Sequence, residues 1–286
     1  MNKNYNESNI VTGDYWKNVE LMKKAGRNDL IVLADFDRTL TKGFDDSGQK
    51  VSSGVPMRKI KELGDDCSRK IEEIYSEFKT IIKNNQFFGQ ERIDKLSGCL
   101  RRQMEVMIES GLNIGMLRKL VDENDLPFRS GIGDFVDYLE KNNIPLIIMS
   151  AAWGDIIKLH LEKQGLWRKN IYIVANNFKF NEKGQAVGID GPIVHVTNKS
   201  QILLQDFSFY IDIKNKKSVL LLGDSLDDVG MVDGFDYDNL IKIGFLNENV
   251  EENLDIYKKV FDLILLGDPD MIEVNKLIND FHEKDN

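Results

Sequence analysis

What the chain has little of narrows its reading first. Its 286 residues include two cysteines and three histidines. Two thiols, Cys67 and Cys99, in a chain of this size are expected to be reduced and structural. His160, His195 and His282 stand in no spacing that suits a zinc site or a catalytic triad, so each is read as a surface or packing residue. No apolar run approaches the span of a bilayer, and the opening stretch MNKNYNESNIVTGDYWK lacks an apolar core of signal-peptide length. A cytoplasmic protein with no membrane partner is expected. Low-complexity segments and evident repeats are absent too, which excludes a disordered chain.

The composition, 42% hydrophobic and 30% charged, is that of a globular protein, and the length suits one large domain carrying an insertion. A net charge of -9 with scattered Lys and Arg argues against a nucleic-acid polymer as partner. It leaves room for a local anion or metal site. Short apolar runs recur: LIVLA at 30–34, IPLIIM at 144–149, IYIVA at 171–175, VLLL at 219–222, IKIGF at 241–245 and DLILL at 262–266. Runs apolar on both alternations suit strands buried on both faces. Helical patterns lie between most of them, at 133–142, at 155–164 before Gly165, and at 270–281. Strands alternating with helices predict an α/β, Rossmann-like, doubly wound parallel sheet.

Residues 45–127 break this rhythm. Ile71, Ile74, Tyr75, Phe78, Ile81 and Ile82 form one helical stripe; Ile93, Leu96, Leu100, Met104, Met107 and Ile108 form a second. An inserted helical cap is expected there, with hinges near DDSGQ and ENDLPF, between core segments 1–44 and 128–286. The turn NEKG between alternating segments at 177–196 predicts a small β-hairpin.

Three of the buried runs end in polar residues: LIVLA at Asp35, IPLIIM at Ser150, and VLLLG at Asp224. In an open α/β sheet the ligand crevice lies outside the carboxyl ends of the strands, so the three ends are expected to converge. An isolated D-x-D pair is more often solvated loop acid. That reading weakens when the pair, a serine and a second acidic cluster each follow a separate core strand. Asp35 is ionised at neutral pH and needs no base to act as a nucleophile. Asp37 can then give a proton to a leaving alkoxide and later take one from water. Carboxylates facing a phosphate repel it unless a cation intervenes, and Asp224 with Asp228, one helical turn on in GDSLDD, adds hard oxygen ligands that favour Mg2+. Ser150 offers a hydroxyl to a phosphoryl oxygen, and Lys199 a point charge, although alone it reads as a surface lysine.

The D-x-D-x-T of Asp35, Asp37 and Thr39 resembles the signature of the haloacid dehalogenase superfamily. The segments FRSGIGDFVDYLEKNNIPLIIMSAAWGDII, VHVTNKS, LLLGDSLDDVGMVDG and LIKIGFLNENVEENLDIY are similar to those of the cytosolic pyrimidine 5'-nucleotidase (type III) family. The resemblance implies a Rossmann-like core with a helical cap after the first motif. It also implies magnesium-dependent hydrolysis of nucleoside 5'-monophosphates, chiefly pyrimidine ones. Asp35 would be the nucleophile and a metal ligand, Asp37 the acid/base with its main-chain carbonyl on the metal, and Ser150 and Lys199 the phosphate-binding pair. Asp224 would complete the protein's metal ligands and Asp228 support them.

Two departures stand out. The family has S-A-G-I-G-D where this chain has SAAWGD, with Ala152 and Trp153. Trp153 either packs under the cap or stacks on a substrate ring, and packing is the simpler reading. The family's base reader, an acidic residue followed by an aromatic one, falls at Gly98 and Cys99, so no base-binding residue is carried across. Phe87, Phe88, Arg101 and Arg102 could line the mouth of the site, with surface or core placement equally open for each. Two rival functions remain: a capped phosphatase acting on another small phosphate monoester, and a non-hydrolytic phosphate- or metal-binding module, against which Asp37 and the insertion both count.

Overall fold

The computed structural model describes residues 9–83, 87–233 and 235–281; His282 lies outside them. Eight strands form one sheet: β1 (Asn9–Val11), β2 (Leu30–Ala34), β3 (Leu146–Trp153), β4 (Ile171–Phe180), β5 (Ala186–Asp190), β6 (Ser218–Gly223), β7 (Asn239–Leu246) and β8 (Leu263–Leu266). Their order is β1-β8-β7-β6-β2-β3-β4-β5. All neighbours are parallel except the two edge pairs, β1 with β8 and β4 with β5. The chain therefore builds outward from β2 on one side through β3 and β4, then returns to its other side through β6, β7 and β8. That reversal at β2 is the switch point where such sheets bind ligands.

The helices are α1 (Tyr15–Ala25), α2 (Gly54–Met57), α3 (Gly64–Lys83), α4 (Gly89–Glu109), α5 (Ile114–Glu123), α6 (Ile132–Lys141), α7 (Gly154–Lys163), α8 (Tyr210–Ile213), α9 (Val250–Tyr257) and α10 (Ile272–Asn279). Every residue of β2 is buried. Leu30, Val32 and Ala34 pack in a cluster with Met22, Phe135, Leu139 and Ile278, from α1, α6 and α10. Ile31 and Leu33 pack in another with Ile213, Tyr257 and Phe261. Alternation along one strand thus explains why the run is apolar throughout: both faces are covered. The predicted hairpin is β4–β5. The edge strand β1, three residues long, left no pattern to read.

Helices α2 to α5 all fall between β2 and β3, as the stripes predicted. The two chain segments that enter and leave this insertion run side by side, bridged at Thr41 and Phe128, with Lys42 N–H donating to Pro127 and Arg129 N–H to Leu40. The insertion does not keep its apolar surface to itself. Met57, Ile60, Leu100, Met104 and Leu117 share one buried cluster with Trp153, Ile156, Leu159 and Phe178 of β3, α7 and β4. Cys67 and Cys99 are buried and free. Among the described residues no helix is long and apolar enough to cross a membrane.

Where the insertion leaves the sheet, Arg129 clasps the surrounding loops. Its guanidinium is fully buried and donates to the carbonyls of Thr39 (2.7 Å), Pro269 (2.5 Å) and Arg38, to Asn247 Oδ1 (2.7 Å) and to Asp268 Oδ1 (2.9 Å). Its Cζ lies 4.4 Å from the Phe245 ring centroid. Burial pulls the guanidinium down to about 10, opposed by Asp268, so it stays charged at neutral pH. Only a planar, five-donor cation can serve this many acceptors at once. Arg129→Met is expected to destabilise the protein by about 3–5 kcal/mol, because it strands buried carbonyls and the Asp268 charge. Urea unfolding measures this, and a loss below about 1 kcal/mol would remove Arg129 from this role.

Candidate active site

Strands β3, β2 and β6 are adjacent in the sheet, so their carboxyl ends lie together. Asp35 follows β2, and its N–H continues the ladder to the Leu222 carbonyl at 3.0 Å. Ala34 pairs with Ile148 of β3, two residues before Ser150. Ser150 is not beyond the strand end, as the apolar run alone implied. Strand β3 continues to Trp153, which pairs with Asn176 past a register shift. The buried Ser150 hydroxyl accepts from the Ala152 N–H at 3.2 Å.

Asp224 follows β6 directly. Asp228 comes beside it by a capping turn, which replaces the helical turn expected from sequence. Ser225 and Asp228 form a capping box at the start of a 3-10 turn, and Asp228 Oδ2 accepts from the N–H groups of Asp224 (3.0 Å) and Ser225 (2.9 Å). Gly223 is required for this approach: a Cβ there would meet the Asp228 Cβ at 2.5 Å. The Tyr257 hydroxyl donates to the Asp224 carbonyl from α9, and burial together with Asp224 and Asp228 raises that phenol to about 12.

The expected surface lysine is buried. Lys199 Nζ lies 2.5 Å from Asp35 Oδ1 and 2.7 Å from Asp228 Oδ1. It arrives on a short 3-10 turn held by Asn198, whose side chain bonds the Ile193 carbonyl and the His195 N–H. His195, also buried, reaches Ser97 Oγ of α4 at 3.1 Å through Nε2 and Thr197 Oγ1 at 3.2 Å through Nδ1. The histidine thus packs between the lysine's loop and the insertion, and its burial lowers it to about 4.

Arg38 turns back over the site with left-handed backbone, φ 65°. Its guanidinium is 3.2 Å from Asp224 and 2.9 Å from Glu248, which also pairs with Lys50 at 2.8 Å. The Asp37 carboxyl is hydrogen-bonded by Ser52 and Ser53 and is not one of the three carboxylates, Asp35, Asp224 and Asp228, whose oxygens cluster.

Two cations in direct contact, Lys199 and Arg38, thus serve a group of three buried or half-buried carboxylates, with Asp37 nearby. The shortage of positive charge has titration consequences. Burial raises Asp35, with Lys199 opposing it and Asp228 and Asp224 adding to it. Asp224 is pushed up to about 7 by burial and by Asp228, against Arg38 and Lys199. Lys199 moves up despite its burial, because Asp228 and Asp35 hold its proton. The ligand atoms of Asp35, Asp224 and Asp228 lie within 4.8 Å of one another, an all-oxygen set that suits a hard divalent cation.

The residues named near the insertion divide between core and surface. Phe87 packs with the α3–α4 cluster, Arg102 pairs with Glu77 at 2.6 Å, and Phe88 is exposed. Cys99 is buried, while a Cβ at Gly98 would meet nothing within 4 Å. Trp153 is packed in the shared cluster, as its simpler reading had it. Sequence reasoning missed Arg38, Ser52, Ser53 and Arg129. Arg38 fills an unspecified position of the D-x-D-x-T turn, and none of the four directly follows a strand.

Lys199→Met leaves Asp35 and Asp228 facing each other without the ammonium. At pH 8 the variant is expected to be less stable by about 3–5 kcal/mol. Burial and the neighbouring carboxylates raise Asp35, and the ammonium that opposes them is gone, so Asp35 holds its proton in the fold at a pH where the unfolded chain has lost it and the deficit shrinks as the pH falls towards 5. Urea midpoints at the two pH values, in chelator, measure this; an equal deficit at both would exclude the charge explanation.

Known proteins align with this architecture. Residues 38–282 match the profile of the family described as pyrimidine 5'-nucleotidase (UMPH-1). The mouse 7-methylguanosine phosphate-specific 5'-nucleotidase is 30% identical over 262 residues, 91% of this chain and 87% of its own. A putative cytosolic 5'-nucleotidase 3 of Caenorhabditis elegans is 26% identical, covering 98% of this chain and 77% of its own. A crystal structure of cytosolic 5'-nucleotidase IIIB bound to cytidine superposes with a TM-score of 0.87 at 20% identity, covering 97% of this chain and 94% of that one, a shared fold. With the profile matched over most of its length and a relative 30% identical over 91% of it, this chain belongs to the pyrimidine 5'-nucleotidase family of phosphomonoester hydrolases.

Proposed function

We propose that the protein is a magnesium-dependent, cytosolic 5'-nucleotidase that hydrolyses nucleoside 5'-monophosphates through an aspartyl phosphate on Asp35. The observation that carries the reading is the contact of Asp35 with Lys199 beside Asp224 and Asp228 at the switch point of the sheet. A carboxylate and a buried ammonium held together form a nucleophile and an anion-binding charge at one place.

In the first half-reaction the Asp35 carboxylate attacks phosphorus and the bond from phosphorus to the 5' oxygen breaks. Asp37 gives its proton to the departing alkoxide. In the second, Asp37 takes a proton from water, whose oxygen attacks the phosphorus, and the bond to Asp35 breaks to release phosphate. Lys199 and the Ser150 hydroxyl hold phosphoryl oxygens throughout. The oxygen donors Asp35, Asp224 and the Asp37 carbonyl would hold magnesium, with Asp228 supporting them, and the uncompensated negative charge of the site fits such an ion. When bound, it supplies the positive charge that lets a phosphate dianion sit among carboxylates. The helical insertion, residues 45–127, is read as a cap over the core formed by 1–44 and 128–286, restricting water around the reacting group.

The relatives' names point to two kinds of nucleobase, pyrimidine and 7-methylguanine. Gly98 lacks the acidic side chain that the resemblance placed there, and space is open beside it. Base selection therefore falls to other residues of the insertion. The test is phosphate release from CMP, UMP, 7-methylguanosine monophosphate and phosphoserine, with magnesium and with chelator. Magnesium-dependent release from one or more nucleotides is expected, lost in Asp35→Asn and reduced by about 10²–10⁴-fold in Asp37→Asn. Turnover of phosphoserine without any nucleotide would overturn the substrate class, and full turnover in Asp35→Asn would overturn the nucleophile.

A further inference from the structure

The carboxyl of Asp37 is held by the insertion. Its Oδ1 accepts from the Ser53 N–H at 2.8 Å, and its Oδ2 from the hydroxyls of Ser53 at 2.8 Å and Ser52 at 3.1 Å. Both serines belong to the segment that enters α2. A serine in the Ser53 position ordinarily turns its hydroxyl onto the N–H groups of the helix it precedes. Ser53 makes no such cap; its hydroxyl is turned out of the helix onto Asp37. Ser53 is buried, so this geometry is enclosed by packing.

The segment is itself seated on the core. A Cβ built on Gly54 would lie 3.3 Å from Trp153 Cζ3, so the start of α2 rests against the ring at the end of β3, three residues beyond Ser150. Upstream, Val51 N–H donates to the Gly43 carbonyl at 3.1 Å, and Gly43 N–H to Asp268 Oδ1 at 2.8 Å. Lys50 pairs with Glu248, which holds Arg38 beside Asp37 in the chain. The same short tract therefore touches the expected proton carrier, the strand that bears Ser150, and the loop that bears Arg38.

We propose that Ser53, assisted by Ser52, is the positioning residue for Asp37, so that the seat of α2 on Trp153 sets where the proton-transferring carboxyl points. Three hydrogen bonds fix the rotation of the carboxyl, and each weakens steeply with distance and angle, so a shift of the tract by about 1 Å breaks them together. This rests on the reading of Asp37 as the acid/base. It adds that the insertion supplies part of the orientation on which that chemistry depends.

The consequence is selective for the leaving group. Departure of a nucleoside alkoxide needs the proton from Asp37; departure of p-nitrophenolate, a stable anion, does not. For both substrates kcat/KM reports the steps up to leaving-group departure, so the two values isolate this demand. Ser53→Ala is expected to lower kcat/KM for the nucleotide by about 10–100-fold while changing that for p-nitrophenyl phosphate by about twofold or less. Ser53→Thr, which keeps the hydroxyl, restores most of the nucleotide activity. Equal loss on both substrates, or no loss on either, overturns the proposal. Asp37→Asn is measured alongside. If it fails to discriminate between leaving groups, the acid/base reading itself fails; if it discriminates and Ser53→Ala does not, only the positioning role fails. Should Ser53→Ala not fold, Ser52→Ala removes one of the two hydroxyls at a half-buried position and is read against the same pair of substrates.

Discussion

The constraint on which this structure turns is a shortage of positive charge at the carboxyl edge of a buried sheet. Asp35, Asp224 and Asp228 are brought together where water is scarce, and one ammonium, Lys199, bridges two of them. Buried carboxylates without partners repel one another and are costly. The arrangement therefore favours bound protons or cations, and its three clustered carboxylates could hold a metal ion. Lys199 is consequently as much a part of the fold's electrostatic balance as of any substrate contact.

The remaining architecture holds that charge in place. Parallel strands put β2, β3 and β6 side by side, and the capping box at Ser225 bends Asp228 under Asp224. Gly223 leaves the space this needs. Arg129 ties the turn after Asp37 to the loops after β7 and β8, so that turn is not free to move independently of the sheet. Arg38, in left-handed backbone, relays the same restraint to Glu248 and Lys50. Local strain of this kind persists where surrounding contacts over-determine it.

The insertion is bound to this machinery more closely than a loosely tethered lid. It shares buried apolar surface with α7 and the hairpin, meets the lysine's loop through Ser97 and His195, and touches Asp37 through Ser52 and Ser53. Trp153 is part of that contact surface. A large apolar residue there gives the insertion a firm seat.

The sequence by itself determined the sheet, the helical insertion and the chemical identity of the site's acids. Buried parallel strands must be apolar on both faces, helices must carry a stripe, and polar residues ending successive core runs betray the ligand edge. Asp35, Asp224 and Ser150 were legible for that reason. Lys199 looked like an ordinary lysine, because nothing local shows that its turn is drawn under Asp35. Ser53 and Arg129 likewise carry no local signal of what they hold. Their partners lie between 16 and 164 residues away along the chain. Tertiary structure alone decided them, since hydrogen bonds and ion pairs depend on distances that close only when the sheet has assembled and the insertion has docked.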